Sequence, residues 1–260
     1  MKIKNVLVVH KMGYSPEEKK TVDHVQEILK KKNILWRSIS RLEVHHEIVK
    51  GRDLIIVVGG DGTFLKTAQF VSDETPFLCV NADPKNTEGF YSKTERTSFE
   101  KKLDAILRNK IKPKRLWRLL ATINGKQLEP CLNEYYIGQQ KPYDVARYVL
   151  TVNGKQEEQK SSGLLVCTAS GSSAWCRGAG GTLLRMDQKK LQYVVREPYV
   201  GTLLKTRMKK GVLPEKVHVQ IIAKTEGMIV VPDAVGKEHH IENKGVVDVK
   251  IYEHPTLLFY

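Results

Sequence analysis

The segment Leu54-Ile55-Ile56-Val57-Val58-Gly59-Gly60-Asp61-Gly62-Thr63, continuing through Phe64 to Val71, decides the fold. Leu54 to Val58 is an unbroken, mostly β-branched apolar run, the pattern of a strand covered on both faces in a parallel sheet. Thr63 to Val71 has helical spacing. A glycine-rich turn joins the two. The turn therefore stands at the carboxyl end of a buried strand and at the start of a helix, where open parallel sheets bind ligands.

The same alternation extends to both sides. Val6 to Val9 reads as a buried first strand. Ser15-Pro16-Glu17-Glu18 then opens a helix with a capping residue, proline at the first position and acids in the first turn, running to about Lys32. Ile34 to Ile39 is a second strand, Arg41 to Lys50 a helix, Phe77 to Val80 a fourth strand and Ser98 to Leu107 a closing helix. After Lys112-Pro113 the pattern changes. Two Asn-Gly pairs, at Asn124 and Asn153, sit between short alternating runs and predict hairpins. Val217 to Ala223, Met228 to Val231 and Val246 to Tyr252 continue as strands. The expected organisation is an α/β domain over residues 1–112 and a β-rich domain over residues 113–260.

At 260 residues the chain can bury two modest cores. No run approaches the roughly 20 apolar residues that a membrane span needs. The N-terminal apolar run stops at His10 without a small-residue cleavage site, so it reads as a strand and the expected compartment is the cytoplasm. Cys79, Cys131, Cys167 and Cys176 are dispersed, which signals neither a disulfide framework nor a zinc site. The adjacent pairs His45-His46 and His239-His240 diverge on any regular element, so no metal site is expected. A net charge of +14 admits nucleic acid, an anionic surface or anionic small substrates. The basic clusters at Lys30 to Lys32, Lys110 to Arg118 and Lys205 to Lys210 accompany no nucleic-acid-binding motif. A lysine-rich solvated surface, with a minority of cations serving polyphosphate substrates, accounts for them.

The chemistry concentrates in a few segments. In Gly59-Gly60-Asp61-Gly62-Thr63 the glycines permit positive φ and let backbone N–H groups approach an anion, while the helix start adds partial positive charge. Asp61, ionised at neutral pH, suits a base that takes a proton from a hydroxyl attacking a phosphoryl group; the plainer alternative is a helix cap. Asn133-Glu134, near Gly138, supplies a carboxylate acceptor and an amide that donates and accepts, as vicinal sugar hydroxyls require. Neighbours on a strand point to opposite faces, so their convergence needs a turn or bulge there. Thr168 to Trp175 is rich in small hydroxyl residues and glycine, which favours a loop packed on a ligand. Trp175 offers a ring to stack on a base, or a core residue.

GGDGT is shared by several kinase families. Leu132-Asn133-Glu134-Tyr135, Ser162-Gly163-Leu164 and Thr168-Ala169-Ser170-Gly171-Ser172-Ser173-Ala174-Trp175, in this order after it, resemble the NAD kinase family over nearly the whole chain. Val80-Asn81-Ala82-Asp83-Pro84, Glu88-Gly89, Gln159 to Gly163 and Arg196-Glu197-Pro198 resemble its mitochondrial and plant NADH kinase branch. The resemblance implies a Rossmann-like parallel sheet with helices on both faces followed by a β-sandwich-like domain. It implies transfer of the γ-phosphoryl of ATP to the 2′-hydroxyl of the adenosine ribose of NAD or NADH, with Mg2+ accompanying the ATP. Asp61 would be catalytic, and Gly59, Gly60, Gly62, Thr63, Asn133, Glu134, Ser162, Thr168, Ser173, Ala174 and Trp175 would bind substrate or nucleotide. Trp175 stands where the family has tyrosine, and Ser162 where most members have aspartate, which leaves the preference for oxidised or reduced cofactor open. Asp233 resembles an aspartate-glycine turn of the family, but Ala234 replaces the glycine, so no role is assigned to it. A homodimer or homotetramer is expected by resemblance, with neither nucleic acid nor membrane as partner. A lipid or sphingoid kinase would carry a GTxND-type segment, which is missing; a non-catalytic NAD(P)-binding regulator is disfavoured by the retained Asp61, Asn133 and Glu134.

Overall fold

A computed structural model describes residues 3–11, 13, 15–202, 206–233 and 237–260; Lys205 of the third basic cluster and Ala234 lie outside them. The chain divides into two compact units, residues 1–115 with 256–260, and residues 116–255.

In the first unit, β1 (Asn5–His10) leads through α1 (Pro16–Lys31) to β2 (Leu35–Ser40), through α2 (His46–Val49) to β3 (Leu54–Val58), and through α3 (Asp61–Ala68) to β4 (Phe77–Asn81). These four strands are parallel in the order β2-β1-β3-β4. β5 (Thr94–Glu95) pairs with β4 beside its end and opens α4 (Arg96–Leu107), and β6 (Lys114–Leu116) follows. Helix α1 starts as its sequence dictates: the Ser15 hydroxyl accepts from Glu18 N and the Glu18 carboxylate accepts from Ser15 N, with Pro16 first in the helix. A reciprocal cap of this kind stabilises by about 1 kcal/mol. Val22, Val25, Ile28 and Leu29 of α1 and Phe99, Leu103 and Ile106 of α4 bury against one sheet face, over Val6, Val8, Ile56 and Leu78. Helix α3 covers the other face, where Phe64 meets Phe77 edge to face at 5.1 Å. The helix expected over Arg41 to Lys50 shrinks to the single turn of α2. Glu43 accepts from Ser40 N and the Ser40 hydroxyl from Leu42 N, a local arrangement that competes with helix.

The second unit comprises β7 (Leu119–Ile123), β8 (Lys126–Gln127), β9 (Glu134–Gln139), β10 (Ala146–Val152), β11 (Lys155–Ser161), β12 (Gly163–Thr168), a 3-10 turn at Ser170–Ser173 and the short α5 (Trp175–Gly178). It continues with β13 (Lys190–Arg196), β14 (Lys210–Pro214), β15 (Val219–Ala223), β16 (Met228–Pro232), β17 (His239–Ile241) and β18 (Val246–Ile251). Two antiparallel sheets, β11-β10-β15-β18-β7-β8 and β14-β13-β12-β9-β16-β17, share one core that includes Tyr148, Leu150, Ile221 and Val249 from one and Tyr135, Ile137, Val166 and Val230 from the other. Both predicted Asn-Gly turns have positive φ at both central residues, 49° and 82° at Asn124-Gly125 and 50° and 76° at Asn153-Gly154. Those are the angles that suit a two-residue hairpin loop. Strand β12 is buried on both faces because Leu165 and Cys167 on its outer side pack under Cys176 of α5.

β19 (Thr256–Leu258) then pairs parallel with β4, and Leu258 and Phe259 are buried. The chain's last five residues thus belong to the first unit, whereas the sequence boundary assigns them to the second. A three-residue strand is too short to show a period.

Candidate active site

The glycine-rich turn of the first unit is shaped by close approach rather than by unusual torsions. Gly60 precedes α3 with φ −89° and ψ −179°, and none of Gly59, Gly60 and Gly62 uses the positive φ open to it. A Cβ at Gly59 would press on the Thr63 hydroxyl at 3.0 Å, whereas one at Gly60 or Gly62 would meet nothing within 4 Å. Open space at the last two leaves the backbone at the start of α3 approachable. Gly59 N donates to Val80 O of the neighbouring strand, and Thr63 is buried.

Asp61 is the first residue of α3. Its two carboxylate oxygens accept from Phe90 N at 2.7 Å and Tyr91 N at 2.9 Å. Positive φ occurs nearby at Gly89 (62°), where a Cβ would lie 2.7 Å from Ser92 O and 2.8 Å from Asn81 Nδ2. Asn81 in turn donates to Thr87 O and accepts from the Thr87 hydroxyl. The segments around Asn81 and Gly89 therefore form one turn, and Asp61 grips it. A cavity of about 280 Å³ lies beside this turn, lined by Thr21, Asn81, Asp83, Lys85 and Arg96 among others and by none of the expected site residues.

In the second unit the chain bends at Leu132 and Asn133 before entering β9, and this bend, not Gly138, meets the need for a break in the strand. Gly138 lies within the regular β9–β16 pairing and makes room for the Tyr136 ring, which also crosses Gly163. The bend is held from two sides. Thr168 N donates to Asn133 O at 2.8 Å, and the hydroxyls of Thr168 and Ser170 both donate to Leu132 O. Gly171 packs so closely that a Cβ there would overlap the Asn133 backbone. On the other side, the buried Asp233 carboxylate accepts from Leu132 N and, at 2.6 Å, from Asn133 N, while Asp233 N donates to Glu134 O.

Glu134 is 3% exposed, and among the described residues its Oε2 has no hydrogen-bond partner. Burial, reinforced by the nearby Asp233 charge, pushes its carboxyl up to about 8. Asn133, Glu134 and Thr168 thus form one assembly, in which the Thr168 hydroxyl serves the backbone. Ser162, Tyr136, Trp175 and Arg196 form a second. The Tyr136 hydroxyl donates to Ser162 O, Ser162 N donates to Arg196 O, and the Arg196 guanidinium lies 4.8 Å from the Trp175 ring centre. Trp175 is 38% exposed and stacks on Tyr136 at 5.5 Å. The Ser173 hydroxyl donates to Ser170 O, and Ala174 is exposed. Asp233, Tyr136 and the Phe90 and Tyr91 amides carry parts of these assemblies that the sequence reading does not assign.

Residues 3–111 match the sequence model of the family described as "ATP-NAD kinase N-terminal domain". A probable NADH kinase of Oryza sativa is 28% identical over 253 residues, 89% of this chain and 78% of that protein. An NADH kinase of Arabidopsis thaliana is 34% identical over 208 residues, 69% of this chain and 64% of that protein. Residues 3–111 belong to the ATP-NAD kinase N-terminal domain family, and the chain is similar to NAD and NADH kinases beyond them. The family fold extends over the chain's length: an NAD kinase of Archaeoglobus fulgidus solved in complex with ATP superposes with a TM-score of 0.81 at 22% identity, covering 98% of this chain and 93% of that one. A yeast NADH kinase complexed with NADH gives the same TM-score at 14% identity. Among the described residues no helix is long and apolar enough to cross a membrane.

Proposed function

We propose that the chain is an NAD(H) kinase that transfers the γ-phosphoryl of ATP to the 2′-hydroxyl of the adenosine ribose of NAD or NADH. The observation that carries this reading is the Asn133-Glu134 bend. Its backbone is tied on both sides, and the buried Glu134 carboxyl keeps an oxygen without a partner among the described residues. A buried polar atom of this kind costs free energy unless a ligand satisfies it, and vicinal ribose hydroxyls suit a carboxyl next to an amide.

Asp61 takes the proton of the attacking 2′-hydroxyl. Its carboxylate is preset by the Phe90 and Tyr91 amides, and each oxygen keeps a further lone pair for the substrate. Gly60 and Gly62 admit the transferring phosphates to the α3 N-terminus. Among the described residues no group of three or more His, Cys, Asp or Glu converges as a metal cage. A magnesium ion carried on the phosphates of ATP, with water as its other ligands, would neutralise charge on the transferring group.

A panel of acceptors tests the reading: NAD, NADH, diacylglycerol and a sphingoid base, each with ATP and magnesium. Phosphorylation of the dinucleotides alone supports it. Phosphorylation of a lipid with the dinucleotides untouched would replace it with the lipid-kinase alternative.

A further inference from the structure

Asp233 is separated by 100 residues from the bend it holds. It follows β16 in the left-handed region, φ 54°, which costs a non-glycine residue conformational energy and is tolerated best by Asp and Asn. Its side chain is 3% exposed. The carboxylate receives Leu132 N on both oxygens, at 3.0 and 2.9 Å, and Asn133 N on Oδ1 at 2.6 Å. Its own N–H closes on Glu134 O at 2.9 Å. Hydrogen bonds from amides to a buried carboxylate are shorter and stronger than neutral ones. A left-handed backbone, burial and hydrogen bonds to three consecutive residues, two through the carboxylate and one through its own N–H, meet at one residue, and those three are the two expected to bind ribose and their neighbour.

We propose that Asp233 is a positioning residue of the dinucleotide site, orienting Asn133 and Glu134 through their backbone. The inference rests on the proposed NAD(H) kinase reading and adds a residue to it. The carboxylate occupies the N–H side of the bend while Thr168 and Ser170 occupy its carbonyl side, so the side chains of Asn133 and Glu134 keep few accessible directions. Asp233 also acts on Glu134 by charge. The groups that face the Glu134 carboxyl are Asp233 and Cys176, with the buried thiols of Cys131 and Cys167 nearby, and of these Asp233 carries the negative charge that opposes its ionisation.

The test compares Asp233→Ala, Asp233→Asn and Glu134→Gln with wild type, each first shown to be folded by circular dichroism. Asp233→Asn keeps an acceptor oxygen and tolerates the left-handed backbone, so it serves if the alanine variant does not fold. In Asp233→Ala, kcat/KM for NAD or NADH falls about 10²-fold, the scale of a small misplacement of a binding group, while KM for ATP changes less than twofold. Asp233→Asn falls about tenfold, a partial rescue by the conservative change. Hydrogen exchange, which needs no activity, shows the Leu132 and Asn133 amides losing protection while the β12–β13 ladder keeps it. Dinucleotide kinetics within twofold of wild type in folded Asp233 variants, with Glu134→Gln impaired, overturn the inference and leave the site reading standing. Equal changes in both KM values also overturn it, as a general structural role. If Glu134→Gln is silent as well, the site reading itself fails.

Discussion

A carboxyl as buried as Glu134 destabilises the folded chain wherever the unfolded chain would ionise it. Its folded value stands at about 8 against an ordinary value of 4.5. The unfolded state therefore releases the proton first, and the cost grows as pH rises from about 4.5 to about 8. Below that window both states hold the proton, and above it both have lost it. Glu134→Gln removes the titration, so its stability relative to wild type should climb by about 1.4 kcal/mol per pH unit inside the window. Urea unfolding of both proteins at pH 5, 6, 7 and 8 measures this; a difference independent of pH would mean that Glu134 is paired or hydrated in solution. Ser162 carries a second expectation, resting on its resemblance-based place near the nicotinamide. Oxidised nicotinamide is cationic and the reduced ring neutral, so Ser162→Asp should raise the ratio of NAD to NADH specificity constants about fivefold, or about 1 kcal/mol. An unchanged ratio in an active variant separates Ser162 from the ring.

The 3-10 turn at Ser170–Ser173 touches Asn133 through Gly171, where no Cβ fits. Gly171→Ala should push this turn off the bend at a cost of about 1–3 kcal/mol, as overpacking of a tight contact does. It should also lower dinucleotide kcat/KM more than ATP kcat/KM; wild-type stability and kinetics would show that the turn yields freely. Which elements are legible in the sequence follows from the range of the interactions that form them. The buried strands β1, β3 and β4, the capped helix α1 and the two Asn-Gly hairpins depend on neighbours along the chain, and their residue types announce them. The Arg41 to Lys50 segment misleads because side chains of Ser40 and Glu43 divert the backbone. The strand orders of the three sheets have no local signature. Among the candidate site residues, Asp61, Asn133 and Glu134 stand out by type and context. Asp233 does not, because its meaning lies in bonds to residues about a hundred positions earlier. A Val-Pro-Asp stretch at a strand end suggests only a turn.

For the whole molecule, the formal charge of +14 is expected to serve solubility and anionic small substrates rather than nucleic acid. Binding to duplex DNA should be weak and vanish at physiological salt, as non-specific phosphate attraction does. Tight, sequence-dependent binding that persists in such salt would restore the nucleic-acid alternative. Each of the two units has its own core. The most direct measurement is the formation of NADP or NADPH from NAD or NADH with ATP and magnesium, by wild-type and Asp61→Asn protein side by side, with the new phosphate located by phosphorus NMR. The substituted side chain keeps a carbonyl oxygen to accept from the Phe90 or Tyr91 amide, so the variant should fold. The expected result is a 2′-phosphate from wild type and a turnover lower by about 10² to 10⁴ in the variant, the range for a lost general base. A wild type that phosphorylates neither dinucleotide, or a folded Asp61→Asn protein that turns over as fast as wild type, contradicts the proposed function.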